Sequence, residues 1–129
     1  MDKLTLARYY QVLPEQAVRC MLCPHACVIK PGKTGLCRVR MNRAGELFSL
    51  VYGHPAALQV DPIEKKPLAF WKSGSRTFSI GTFGCNLSCR FCQNDSLSRS
   101  GSDRSREYPR MEPAQIIDLA RRNACESIA

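Results

Sequence analysis

Three cysteines, Cys85, Cys89 and Cys92, stand at spacings x3 and x2 in the run Cys85-Asn86-Leu87-Ser88-Cys89-Arg90-Phe91-Cys92. Thiolates so spaced can face one side of a metal cluster, and the motif holds no fourth. Structural metal sites are closed, whereas reactive ones keep an open coordination position. An iron–sulfur cube ordinarily takes four cysteines, so a three-cysteine set leaves one iron free to bind something else. A zinc site completed by Cys125 or by a histidine is the alternative these residue types leave open.

A second group, Cys20-x2-Cys23-x3-Cys27-x9-Cys37, is threaded by Pro24, Pro31, Gly32 and Gly35. Such residues make tight turns, and four cysteines this close suit one tetrahedral zinc or a second iron–sulfur cluster. Spacing does not choose between the two. His25, inside the group, reads as a packing or solvent-facing residue rather than a ligand. His54 before Pro55 reads as a loop residue, and Cys125 as core.

The elements that must position the triplet follow from pattern. Arg76 to Thr82 is rich in β-branched and aromatic residues and reads as a strand, broken by Gly81 and Gly84. The cysteines then lie on a loop past the strand's C-terminal end, where ligand sites of α/β folds gather. Glu112 to Asn123 reads as a helix, with Pro113 at its first position and Arg121-Arg122 suiting its C-terminal dipole. A second strand starts at Cys125, so one βαβ unit is expected from Arg76 onward. Upstream, Arg38–Asn42 and Glu46–Tyr52 read as two strands joined by Arg43-Ala44-Gly45. Met1 to Gln11 reads as a short amphipathic helix, Trp71 as a core or seam residue, and the Ser/Arg-rich stretch 95–110 as a mobile loop.

Composition narrows the classes. The chain has 129 residues, 44% of them hydrophobic, within the range of one domain. No stretch approaches about 20 apolar residues, so no membrane span is expected. The start, Met1-Asp2-Lys3-Leu4, lacks the order of a secretion signal, which points to the cytoplasm. In that reducing compartment, eight cysteines imply metal binding rather than disulfides. The formal charge of +8, from 19 basic and 11 acidic residues, would by itself suggest an anionic partner. Metal-bound cysteines are thiolates and lower that excess, so nucleic acid is not the expected partner.

The triplet, with Phe91 before its last cysteine, resembles the radical S-adenosylmethionine (SAM) superfamily. The longer run from Ser79 to Asn94 resembles the pyruvate formate-lyase activating enzyme-like branch of the AmmeMemoRadiSam system. So do Asp61–Leu68 and Cys23-Pro24-His25-Ala26-Cys27, followed by Gly32 and Gly35–Arg40. The fold this implies is α/β. An N-terminal Cys-rich β-hairpin module (1–72) would precede the first βαβ unit of a partial (β/α) radical-SAM barrel, truncated (73–129). The latter would carry the cluster loop, the mobile loop 95–110 and the helix 112–123.

The same resemblance implies a 4Fe–4S cluster on Cys85, Cys89 and Cys92, with SAM on the open iron and Phe91 near its adenine. The activity would be that of an oxidoreductase. Reductive cleavage of SAM would give a 5′-deoxyadenosyl radical that abstracts hydrogen from a protein substrate, with flavodoxin or ferredoxin supplying the electron. Asp95 stands where the branch has tryptophan. The family's SAM-binding segments belong to later strands, so this chain by itself is expected to cleave SAM poorly, as a fragment, a remnant or a subunit needing a complementing barrel. The reading from another class is a structural zinc or iron–sulfur module that contacts nucleic acid or a protein partner.

Overall fold

The computed structural model describes residues 4–68, 70–101 and 108–129. The chain forms two compact units, and neither is one continuous stretch. The first comprises Met1–Tyr52 and Phe83–Glu107, the second Gly53–Thr82 and Tyr108–Ala129.

In the first unit the hairpin reading holds. β5 (Arg40–Arg43) and β6 (Glu46–Ser49) pair antiparallel, with Arg43 opposite Glu46. Only Ala44 and Gly45 lie between them, and both take positive φ (51° and 89°). That is the primed two-residue turn whose twist matches the strands it joins. Asn42 locks the turn from below. Its Oδ1 accepts from Gly45 N at 2.9 Å, and its Nδ2 donates to Gln16 O and Ile29 O at 2.8 and 2.7 Å. A fully buried amide so completely paired specifies register.

The expected helix over Met1–Gln11 does not form. Thr5–Leu6 is a strand, β1, on the free edge of β6, and Tyr10–Val12 is β2. Two observations explain the outcome. Ala7 N donates to Leu47 O at 2.7 Å, and Tyr9 takes φ 60°, which no helix tolerates. β2 pairs with β3 (Val18–Cys20), which pairs with β4 (Val28–Ile29), all antiparallel. Ala7, Val18, Cys20, Ile29 and Leu47 form the apolar core of this unit.

The second unit corrects the expected fold class. Its sheet has three strands in the order β7 (Ala57–Pro62), β8 (Arg76–Gly81), β9 (Ser127–Ile128). β7 pairs with β8 antiparallel over six positions, and only the two-residue β9 runs parallel to β8. A (β/α) barrel is built from parallel strands, each followed by a helix. Here the neighbour of β8 that dominates is an upstream antiparallel strand. The chain is therefore mostly small antiparallel sheets with few helices, not the start of a partial barrel.

Local readings in this unit fare better. Helix α2 spans Pro113–Arg122 and starts in a capping box between Glu112 and Gln115, with Pro113 at its head. The stretch read as a mobile loop begins with a one-turn helix, α1 (Asp95–Ser98), which belongs to the first unit. Residues 102–107 of that stretch lie outside the described residues. Trp71 is 47% exposed rather than core, with Lys72 Nζ 5.6 Å above its ring. No helix among the described residues is long and apolar enough to cross a membrane.

Candidate metal centre

All three cysteines of the triplet line one cleft of about 300 Å³ in the first unit, together with His25, Arg38, Ser98 and Arg99. Chain geometry just before Cys85 makes this possible. Gly84 takes φ +85°, and a Cβ at that position would stand 2.6 Å from Cys37 O and from a methyl of Val39. Only glycine combines that backbone with so close an approach. Gly84 N then donates to Leu97 O at 2.9 Å, which ties the start of the loop to α1.

Two of the three sulfurs already take part in hydrogen bonds. Leu87 N–H donates to Cys85 Sγ at 3.4 Å, and Cys92 Sγ shares a hydrogen bond of 3.3 Å with Ser98 Oγ. Arg99 Nη2 donates to Cys89 O at 3.2 Å. Among the described residues no Asp or Glu lines the cleft. Hydrogen bonds at two sulfurs and two arginines in the lining suit an anionic thiolate-ligated group, so the residues present fit a cluster. No three His, Cys, Asp or Glu side chains among the described residues converge as one metal ion requires. The thiolates around a cube bind different irons, so a cube does not ask for that convergence.

The second cysteine group lies in the same unit. Cys20 N donates to Cys27 O at 2.9 Å, one step beyond the pairs Val18–Ile29 and Arg19–Val28. Cys20 and Cys27 are thus cross-strand neighbours, and Cys23 lies in the turn between them. A Cβ at Gly35 would stand 3.7 Å from Cys27 Sγ, so the chain leading to Cys37 passes close by. All four carry free thiols.

His25 does something composition did not show. Its Nε2 is 2.7 Å from Asn86 O, across a sequence separation of 61. With Nε2 protonated it donates to the backbone between Cys85 and Leu87. His25 thus reaches the triplet's loop, Cys37 and Val39 stand against Gly84 at its start, and Arg38 donates to Arg99 O just past α1. The signal for this was the nearness of His25 to two cysteines, but the partner loop is too remote in sequence to be read. Phe91 is 87% exposed, so its ring is unpacked.

The chain resembles an archaeal protein of unstated function. It is 38% identical over 123 residues to the uncharacterized protein MJ0808 of Methanocaldococcus jannaschii. The match covers 95% of this chain but only 37% of the length of that relative. No family model and no solved structure matches.

The remaining candidates belong to the second unit. Cys125 is half-buried, and its thiol faces Asn123 O at 3.7 Å. His54 Nδ1 is 3.4 Å from Tyr108 O. Asp61 is buried between two elements. It accepts from Lys65 Nζ at 2.8 Å and from Ser79 Oγ at 2.6 Å, with Lys66 Nζ 3.8 Å away. The Lys65 hydrogen bond, then that from Ser79, holds its carboxyl below the usual range. Glu64 is lowered as well, first by the Gly74 N–H it accepts at 2.7 Å. This acid–lysine group clamps β7 to β8 and to the turn Ile63–Lys65.

Proposed function

We propose that this chain holds a 4Fe–4S cluster on Cys85, Cys89 and Cys92 and belongs to radical-SAM chemistry of the glycyl-radical-activating type. The observation that carries the reading is that all three cysteines line one cleft just past Gly84. When bound, the cluster supplies one electron to SAM and so generates a 5′-deoxyadenosyl radical for hydrogen abstraction, from a protein partner in this reading.

The protein's own residues prepare that site. Gly84 lets the loop turn against Cys37 and Val39. The Leu87 N–H and the Ser98 hydroxyl stabilise sulfur charge at Cys85 and Cys92. His25 fixes the Asn86 carbonyl. The exposed ring of Phe91 is available to cover a bound adenine. In this reading the protein works in a reducing compartment such as the cytoplasm, where thiols stay reduced. A flavodoxin- or ferredoxin-type donor would deliver the electron. Cys20, Cys23, Cys27 and Cys37 would hold a second metal, zinc or iron–sulfur.

Metal analysis after anaerobic reconstitution tests the reading. The wild-type chain should bind about four iron and four sulfide at the triplet. Replacing Cys85, Cys89 and Cys92 together by Ser should remove that complement. Zinc without sulfide in the wild type would favour the structural-module reading instead.

A further inference from the structure

We propose that Arg38 and Arg99 supply the counter-charge of the cluster and raise its reduction potential. The inference rests on the cluster reading above. Both arginines line the cleft with the three cysteines. Arg99 follows α1 and donates to Cys89 O at 3.2 Å. Arg38 follows Cys37 at φ 65°, a left-handed backbone uncommon outside glycine, and its Nη1 donates to Arg99 O. Both arginines are thereby held at the cleft, Arg99 by its side chain on the Cys89 carbonyl and Arg38 by its side chain on the Arg99 carbonyl.

Neither pairs with a carboxylate among the described residues, and none lines the cleft. Two cations lining one cleft favour an anion there. A thiolate-ligated cluster is such an anion, and the cysteines that line the cleft with both arginines are its ligands. On reduction, one electron enters from an external reductant, no bond forms or breaks, and the cluster gains one negative charge. Nearby cations therefore favour the reduced form. At about 10 Å and an effective dielectric of about 20, one guanidinium shifts the reduction equilibrium by about tenfold, or about 59 mV for one electron.

The experiment is a potentiometric titration of the reconstituted full chain, read by electron paramagnetic resonance, on wild type, Arg38→Gln, Arg99→Gln and Arg99→Lys. Each Gln variant should shift to lower potential, with about a tenfold smaller reduced-to-oxidised ratio at the wild-type midpoint. Arg99→Lys keeps the charge without the planar donor fork and should stay near wild type. Raising the salt concentration should lower the wild-type midpoint through screening, which checks the inference without any substitution. Unchanged midpoints in both Gln variants, or a wild-type midpoint indifferent to salt, would overturn the inference. So would Arg99→Lys falling as far as Arg99→Gln, because hydrogen-bond geometry rather than charge would then be responsible. A wild-type chain that retains no iron and sulfide overturns the cluster reading itself, a result separable from any of these.

Discussion

Gly84 immediately precedes the first cysteine, and its two constraints act together. Its φ of +85° disfavours any side chain, and a Cβ would collide with Cys37 O at 2.6 Å. Left-handed backbone costs a non-glycine residue about 1–2 kcal/mol, and the collision adds to this because the contact is to backbone. Gly84→Ala should therefore lower the thermal midpoint and reduce the iron retained after reconstitution. The comparison residue is Gly74, also at positive φ (78°) but with open space around it. Gly74→Ala should destabilise through backbone strain without changing iron retention. Equal iron loss in the two variants would remove Gly84 from its role as a seat for the loop. The cysteine spacing was legible at this scale, and so was the glycine. The partners were not, because His25 and Cys37 meet the loop across long separations that periodicity does not encode.

Among the elements, the clamp at Asp61 lends itself to a pH experiment. Its folded-state carboxyl titrates below the ordinary value of 3.8. A lowered carboxylate contributes stability that is fully present above that ordinary value and is lost as pH falls through the lower folded value. Acid unfolding of the wild type should therefore steepen below about pH 3.8. Asp61→Asn should be less stable near neutrality and flatter across that acid window. Parallel profiles for the two proteins would contradict the assignment. At this scale β5, β6, β8 and α2 were readable because each carries its own signal: the Ala44-Gly45 turn, the β-branched run, and the Glu112-Pro113 cap. β1 to β4 were not, because strands of two or three residues carry no period. The partner of β1 lies far along the chain, and the apolar pattern of Leu4, Ala7 and Tyr10 fits a helix equally well.

Across the whole molecule, both cysteine groups fall in the unit formed by Met1–Tyr52 and Phe83–Glu107. The expected barrel failed for a reason of the same scale. One strand–helix–strand succession was legible, but the antiparallel β7 beside β8 belongs to chain upstream of it, and no local pattern marks that pairing. The central claim is an iron–sulfur cluster on Cys85, Cys89 and Cys92 with one iron open. Its most direct measurement is the electron paramagnetic resonance spectrum of the dithionite-reduced, reconstituted chain with and without SAM, in a variant with Cys20, Cys23, Cys27 and Cys37 replaced by Ser so that only the triplet contributes. The account predicts a reduced-cluster signal whose g values move when SAM is added. A protein with no such signal, or a signal that SAM leaves unchanged, would contradict it.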